Sequence, residues 1–171
     1  EYFELIRTAK REGKEKIGLI IQTIGSTGIR ISELPSITVQ AVKNGVAQVD
    51  CKGKNRQVLL PRKLLVKLMH YIRKEHIQCG PIFITKQGNP LDRSNIWKEM
   101  KKICRLAGVN EKKVFPHNLR HLFAYSFYQM EKDIAKLADL LGHSNINTTR
   151  IYIVSSGVEH RKQIEKMNLL L

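Results

Sequence analysis

Acidic residues are scarce in this sequence, which has 15 aspartates and glutamates against 30 lysines and arginines in 171 residues. The formal net charge of +15 predicts a polyanionic partner, because a basic protein that neutralises phosphates releases their counterions. An anionic membrane surface is the alternative, but no long amphipathic stretch has one wholly basic face. Nucleic acid is therefore the partner that we expect.

Long hydrophobic runs and paired cysteines are also missing. No apolar run approaches the roughly 20 residues that a membrane-spanning helix needs, and Glu1 does not open a signal peptide. Cys51, Cys79 and Cys104 are odd in number and lack C-x-x-C spacing, which is typical of free thiols in a reducing compartment. We therefore expect a cytoplasmic protein that does not associate with a membrane.

Motifs for nucleotides and metals are absent as well. The sequence holds neither a G-x-x-x-x-G-K-[ST] loop nor a carboxylate cluster that could hold two magnesium ions. His117 and His121 have the i,i+4 spacing of zinc proteases, but Asn118 stands where their general-base glutamate would be. No third zinc ligand is evident. We expect neither a cofactor nor a metal, which disfavours a metal hydrolase.

Helical patterns dominate what is present. Isoleucines at helical spacing between residues 17 and 24 predict a helix that stops at Gly28. β-Branched residues and an Asn44-Gly45 turn signal predict a three-stranded antiparallel ribbon over residues 37–42, 45–51 and 55–60. Further helices are predicted after Pro61, over 93–107 behind Asp92 or Ser94, over 117–129, and over 134–141 behind Asp133. In the helix over 93–107, Ile96, Trp97, Met100 and Ile103 are expected to face inward. A short helix in "HSNINTTRIYIV" and a final helix that ends in Leu169, Leu170 and Leu171 complete the prediction. The expected fold class is mainly α with a small three-stranded antiparallel β-sheet at the edge (α+β).

Two basic stretches in the first half of the chain could hold phosphate. In "TGIRISEL", Arg30 follows a helix stop and suits an anion bound by two parallel hydrogen bonds; the alternative is a surface arginine paired with Glu33. In "CKGKNR", Lys52, Lys54 and Arg56 crowd a hairpin tip that could touch phosphates. A lysine there could also donate a proton. The alternative is a solvated turn that discourages aggregation of the sheet edge.

Two further stretches lie in the second half. In "FPHNLRHLFA", His117, Arg120 and His121 lie one helical turn or less apart, and a histidine beside an arginine suits a phosphate. In "LLGHSNINTTRIYIV", His143 follows a glycine at a helix end and Tyr152 lies among isoleucines. With a pKa near 10, a tyrosine needs cationic neighbours or a base before it can attack. The alternative is a core tyrosine whose hydroxyl is satisfied.

The four stretches together indicate one chemistry. Two arginines, a lysine and two histidines around one hydroxyl would stabilise a pentavalent phosphorane, because negative charge grows on its non-bridging oxygens. In their order and approximate spacing, the stretches resemble the motifs of the tyrosine site-specific recombinases, the phage integrase family. The resemblance covers essentially the whole sequence and is to the family's catalytic domain, whose fold we therefore expect.

The resemblance implies a role for each residue. Arg30 and Arg120 would grip the scissile phosphate, and His143 would hydrogen-bond a non-bridging oxygen. Lys52 would protonate the leaving 5′-oxygen, His117 would act as the base, and Tyr152 would form a 3′-phosphotyrosyl link. Glu33 matches an acidic position that supports the site. The further residues that we expect to contact DNA are Lys54, Arg56 and His121. Because the hairpin is one residue tighter than the common family pattern, Lys54 is an alternative to Lys52.

The resemblance also implies the larger organisation. Residues 1–171 would form a single catalytic domain, without the family's N-terminal core-binding domain, so that this domain alone should bind weakly and recombine poorly. The partner would be double-stranded DNA, at the bacterial nucleoid, with a homo-tetramer at synapsis. The apolar C-terminal helix would dock in cis or in exchange between protomers. The isoleucines around Tyr152 would anchor a short mobile helix. Neither ATP nor a metal would be needed.

Two functional alternatives stay open beside a recombinase or integrase that integrates or excises a mobile element. A type IB topoisomerase shares much of this chemistry but relaxes supercoils without strand exchange. A non-catalytic DNA-binding module would keep the fold alone, although the complete set from Arg30 to Tyr152 disfavours it. The target DNA sequence, the direction of the reaction and any accessory proteins are not readable from these residues, because phosphate contacts carry no base information.

Overall fold

A computed structural model describes residues 1–51, 54–110 and 116–151 of the chain. Within these ranges the chain forms eight α-helices, one 3₁₀ helix and a two-stranded antiparallel sheet. In chain order the elements are α1 (Tyr2–Arg11), α2 (Glu15–Thr27), the 3₁₀ helix (Ile31–Ser36), α3 (Val39–Asn44), β1 (Val46–Cys51), β2 (Lys54–Leu59), α4 (Arg62–Lys74), α5 (Arg93–Leu106), α6 (Pro116–Glu131), α7 (Ile134–Leu141) and α8 (Asn147–Arg150). The mainly α prediction is confirmed.

Helix α2 is the central element of the fold. Its isoleucines Ile17, Ile20, Ile21 and Ile24 are all buried, and it packs against α1, α4, α5 and α6. A helix that is apolar on most of its surface must be covered on several sides, which explains this position. The helix ends at Gly28, as predicted, and the φ of 65° at this glycine is left-handed. Most residues of the main hydrophobic core come from the elements around this helix.

The predicted three-stranded ribbon is wrong, since the described sheet has two strands. Residues 39–44, which the sequence pattern assigns to the first strand and its turn, form α3 instead. The hydroxyl of Thr38 caps this helix by accepting from the N–H of Ala41 at 3.0 Å, and Gly45 ends it with a φ of 74°. Helix ends and type I′ turns both use a left-handed glycine, so the Asn-Gly signal fits either.

Strands β1 and β2 form a regular hairpin. Their antiparallel register runs from Val46 opposite Leu59 to Cys51 opposite Lys54. Ala47, Val49 and Val58 are buried, as expected for a sheet that covers a core with one face. The predicted turn at K-G-K-N falls on Lys52 and Gly53, which lie outside the described residues.

The second half of the chain is helical, and its predicted caps are confirmed. Asp92 accepts from the N–H of Ser94 at 2.8 Å at the start of α5, and Asp133 accepts from the N–H of Lys136 at 2.9 Å at the start of α7. Trp97 of α5 was predicted to point inward, but it is 42% exposed. Lys101 lies over its ring at 5.4 Å. None of the described helices has the length and apolarity to cross a membrane.

Candidate active site

The Gly-His pair that follows α7 forms a helix stop with a defined geometry. Gly142 has a φ of 64°, and the N–H of His143 donates to the carbonyl of Ala138 at 3.0 Å. These are features of a Schellman motif, in which a left-handed glycine reverses the chain at the end of a helix. The motif fixes where His143 leaves the helix and leaves the last carbonyls of α7 available to other donors.

Three arginines use those carbonyls. They come from separate elements, since Arg30 precedes the 3₁₀ helix, Arg56 lies in β2 and Arg120 lies in α6. The hydrogen-bonded pairs are Arg56 with the carbonyl of Leu140 (2.9 Å), Arg120 with that of Leu141 (2.6 Å) and Arg30 with that of Gly142 (3.4 Å). A helix C-terminus carries a partial negative charge, so three cations are held together at one point of the fold.

Glu33 joins two of these arginines. Its Oε1 accepts from Nη1 of Arg30 at 2.7 Å, and its Oε2 accepts from the N–H of Arg30 at 2.8 Å and from Nη2 of Arg56 at 2.5 Å. Burial alone would raise the pKa of Glu33, but the hydrogen bonds from Arg30 and the charges of Arg56 and Arg30 together lower it. Glu33 is therefore ionised at neutral pH and offsets part of the positive charge.

Two glycines permit the close packing around this cluster. The carbonyl of Gly28 accepts from Nη1 of Arg120, and a side chain at this position would bring its Cβ to 2.5 Å from Cδ1 of Phe123. A Cβ at position 142 would overlap Cδ of Arg56. Both glycines also have positive φ, a conformation that costs other residues free energy. Glycine is thus required at both positions, because the backbone conformation disfavours other residues and there is no room for a Cβ atom.

His143 lies directly against Arg120. Its Nε2 is 3.1 Å from Nη2 of Arg120, and its Nδ1 is 2.9 Å from Oγ1 of Thr149. Burial lowers the pKa of His143 to about 4, and the charges of Arg120, Arg30, Arg56 and His117 act in the same direction. The imidazole is therefore neutral at physiological pH in the DNA-free protein.

His117 and His121 form a pair on the first turns of α6. Their Nε2 atoms are 2.6 Å apart, so one nitrogen donates and the other accepts. Burial lowers the pKa of His121, and the charges of His117 and Arg120 lower it further. Within the described ranges, no group of three histidines, cysteines or carboxylates lies close enough together to hold a metal ion.

The structure thus brings together Arg30, Arg120 and His143, with His117 one helical turn from Arg120. Arg30 pairs with Glu33, as the alternative interpretation of its stretch predicted. It also donates to the carbonyl of Gly142 at the end of α7. Arg56 was predicted to contact DNA from a hairpin tip, but its side chain is only 8% exposed and is bonded to Glu33 and to α7. We correct that placement, since this guanidinium is inside the protein.

Three of the predicted site residues fall outside what the structure describes, and so does the predicted C-terminal helix. Lys52 and Tyr152 are in undescribed positions, and so is the side chain of Lys54. Helix α8 ends at Arg150, two residues before Tyr152. Ile151 is exposed, so the prediction that it anchors the short helix is not supported by its position.

Sequence reasoning missed several parts of the site. The carbonyls of α7 and of Gly28 carry no signal in the sequence, because every residue has a carbonyl group. Thr149 was also missed, although it is fully buried against His143. The sequence offers nothing to distinguish it from Thr148, which is exposed.

Sequence comparisons agree with this architecture. The model of the family described as "Phage integrase family" matches residues 1–157. The tyrosine recombinase XerA of Pyrococcus furiosus is 30% identical over 166 residues, which covers 92% of this chain and 57% of XerA. The tyrosine recombinase XerH of Campylobacter jejuni is 33% identical over 140 residues, which covers 78% of this chain and 40% of XerH. The chain therefore spans about half the length of these relatives.

Solved structures show the same fold. A crystal structure of XerA recombinase matches 99% of this chain and 62% of its own, with a TM-score of 0.78 at 24% identity. The XerH recombinase bound to its difH substrate, in a pre-cleavage complex, matches 99% of this chain and 53% of its own, with a TM-score of 0.82 at 23% identity. At these identities the likeness concerns the fold alone.

Proposed function

We propose that this chain, which belongs to the phage integrase family, is the catalytic domain of a site-specific DNA recombinase that cuts and rejoins DNA through Tyr152. The observation that carries the proposal is the meeting of Arg30, Arg120 and His143 at the end of α7. These three side chains lie close enough together to surround one phosphate group. Their position in the chain also suits the nucleophile, because Tyr152 follows His143 by nine residues.

The arginines would stabilise the transition state. When a hydroxyl attacks a phosphodiester, negative charge grows on the two non-bridging oxygens, and fixed cations nearby lower the barrier. Arg30 is the more accessible of the two, with a side chain that is 31% exposed. Arg120 is buried and held by the carbonyls of Gly28 and Leu141. A group fixed in this way is preorganised, so it loses little entropy when the phosphate binds.

The proposed reaction is a transesterification with these bond changes. The Tyr152 oxygen attacks phosphorus, the bond from phosphorus to the 5′-oxygen breaks, and the product is a 3′-phosphotyrosine with a free 5′-hydroxyl. His117 takes the proton of the tyrosine, and Lys52 supplies a proton to the leaving oxygen, with Lys54 as the alternative donor. Attack of a 5′-hydroxyl on the phosphotyrosine reverses these changes. The energy of the broken bond is retained, so the reaction needs neither ATP nor a cofactor.

We propose roles for the remaining basic residues from their contacts. His121 contacts His117, so it would influence the base directly as well as lie near DNA. Lys54 remains a predicted DNA contact. Arg56 binds Glu33 and the carbonyl of Leu140, and we propose that it holds the hairpin against the cluster and does not contact DNA.

At the level of the whole protein, we propose that residues 1–171 act as one catalytic domain on double-stranded DNA in the cytoplasm, at the nucleoid. Recombination of two duplexes requires four cleavages, which a homo-tetramer supplies with one tyrosine for each strand. The apolar residues at 169–171 would support docking of the C-terminal segment, in cis or in exchange between protomers. Integration or excision of a mobile element is the reaction class that we favour.

The test is a trapped covalent complex. The complete gene product would be incubated with a nicked suicide substrate that carries the element's own end sequence, in the presence of EDTA, and run on a denaturing gel. We expect a protein–DNA adduct that survives EDTA and is lost in Tyr152→Phe. Absence of an adduct on the cognate site would leave a DNA-binding module. Relaxation of supercoiled plasmid without recombinant products would instead indicate a type IB topoisomerase.

A further inference from the structure

We propose that Thr149 is a positioning residue, which accepts the Nδ1–H of His143 and thereby ties the segment that leads to Tyr152 to the arginine cluster. The consequence for DNA cleavage rests on the proposed function, whereas the hydrogen bond between His143 and Thr149 does not. Neither the sequence motifs nor the comparisons assign a role to this threonine. The inference depends on the contacts at the two nitrogens of one imidazole ring.

Thr149 occupies a special place in α8. It is the one buried residue of the four-residue helix, and its neighbours Thr148 and Arg150 are exposed. Its backbone N–H donates to the carbonyl of Ile146 at 2.8 Å, and its Oγ1 lies 2.9 Å from Nδ1 of His143. The hydroxyl is thus directed inward, at the residue that contacts Arg120.

The hydrogen-bonding capacity of arginine decides the tautomer. A guanidinium has only donors, so the Nε2 atom of His143, 3.1 Å from Nη2 of Arg120, must accept. A neutral imidazole has one N–H, which therefore lies on Nδ1 and donates to Oγ1 of Thr149. The reverse assignment, with the hydroxyl donating to Nδ1, would leave the ring without any proton. Thr149 thus accepts, and the lone pair at Nε2 faces the cluster.

This arrangement confines any proton uptake to the nitrogen that faces the cluster. Burial keeps the ring of His143 neutral, together with the charges that surround it, which come from Arg120 and His117 in α6, Arg30 before the 3₁₀ helix and Arg56 in β2. A bound phosphodiester brings negative charge that opposes them. Because Thr149 accepts from Nδ1 in both protonation states, a proton taken up from solvent goes to Nε2, where it can be donated to a phosphate oxygen.

The contact also has a consequence for the nucleophile. Thr149 precedes Tyr152 by three residues, and three residues span at most about 11 Å. Holding Thr149 at His143 therefore limits how far the tyrosine can lie from the phosphate site. Loss of the hydroxyl would loosen this limit and leave the Nδ1–H of His143 without its acceptor.

The tautomer can be measured directly by ¹⁵N-resolved NMR of the His143 ring in the complete protein without DNA. Wild type, Thr149→Ser and the matched control Thr148→Val should all show the proton on Nδ1. Thr149→Val keeps the shape of the side chain but lacks the acceptor, so the proton should stay on Nδ1, where Arg120 directs it, while the signal of the Nδ1–H shifts upfield and exchanges faster with water. A proton on Nε2 in wild type, or unchanged ring signals in Thr149→Val, would overturn the proposal.

Cleavage of the suicide substrate provides the second readout. Loss of one hydrogen bond to an ionisable group should lower the cleavage rate of Thr149→Val by about 10- to 100-fold. The rates of Thr149→Ser and Thr148→Val should stay within about threefold of wild type. Equal rates in Thr149→Val and Thr148→Val would refute the positioning role. If wild type itself forms no adduct, the proposed function fails, and the NMR result alone decides the claim about the hydrogen bond from His143 to Thr149.

Discussion

Replacement of Glu33 by glutamine should destabilise the protein strongly. Glutamine has nearly the same size, but it removes the negative charge between Arg30 and Arg56 and directs an N–H group at one of two cations. The carboxylate is 6% exposed, and the Arg56 side chain is 8% exposed, so water cannot replace the lost partner. Breaking a buried ion pair by removing one member costs about 3–5 kcal/mol, because a buried charge stays uncompensated.

Urea denaturation measures this cost. With an m-value of about 2 kcal/mol/M for a domain of this size, the expected loss of about 3–5 kcal/mol lowers the midpoint by roughly 2 M urea. Glu99→Gln is the matched control, because the carboxylate of Glu99 also pairs with two cations, Lys102 at 2.7 Å and Lys14 at 3.7 Å, but is 34% exposed. Exposed pairs contribute at most about 1 kcal/mol, so its midpoint should move little.

The pH dependence of the same variant gives an independent check. The pKa of Glu33 lies below its ordinary value of 4.5, so the unfolded state takes up a proton first as the pH falls. The stability that this carboxylate provides is therefore complete at neutral pH and decreases from about pH 4.5 downward. The difference in stability between wild type and Glu33→Gln should therefore become smaller as the pH falls below about 4.5. Equal midpoints for Glu33→Gln and Glu99→Gln at pH 7 would refute the account of a buried carboxylate bridge.

Two further predictions concern α7 and its end. Gly142→Ala should lower the free energy of unfolding by at least about 2 kcal/mol, because of the positive φ and the overlap with Arg56. Gly108→Ala is its control, since Gly108 has the same φ of 64° and no atom within 4 Å of the added Cβ. Chemical denaturation of both variants should therefore show a larger loss at position 142, and equal losses would contradict the packing argument. NMR titration of His143 without DNA should give a pKa near 4. Because this pKa is below the ordinary value of 6.5, the unfolded state binds the proton first as the pH is lowered. The stability of the protein should therefore fall as the pH decreases from 6.5 to 4. A measured pKa near 6.5 would contradict the burial of His143 and its arginine contacts.

Local signals in the sequence predicted the helix ends well. Gly28 and Gly142 both terminate helices, and Asp92 and Asp133 both cap them. Each of these features depends on side-chain and backbone chemistry within four residues of the helix end, which a sequence displays directly.

Signals with two structural meanings misled the prediction. The β-branched residues Val39 and Val42 and the pair Asn44-Gly45 fit a strand and a turn, but they also fit one buried face of a short helix with its glycine end. The hydroxyl of Thr38 caps the helix and so stabilises it over the strand. Trp97 was expected inside because it is apolar and adjacent to Ile96, yet the core side of α5 is filled without it.

Contacts between distant residues could not be read from the sequence. Arg56 binds Glu33, which is 23 positions away, and Leu140, which is 84 positions away. No local sequence pattern predicts either contact. The side chains of Arg30, Arg120 and His143 were recognised as one site through their order in the sequence, which matches a family. Their actual meeting point, the carbonyl end of α7, depends on how α2, α6 and β2 pack together.

The identity of the residue that carries the DNA is the most direct test of the account. The trapped complex would be digested with trypsin and nuclease, and the modified peptide identified by mass spectrometry. Cleavage after Arg150 and Arg161 releases residues 151–161, a peptide with a single tyrosine, Tyr152. We predict a nucleotide on this tyrosine. A nucleotide on the exposed Tyr125, or a complex without any covalent link to protein, would contradict the central claim.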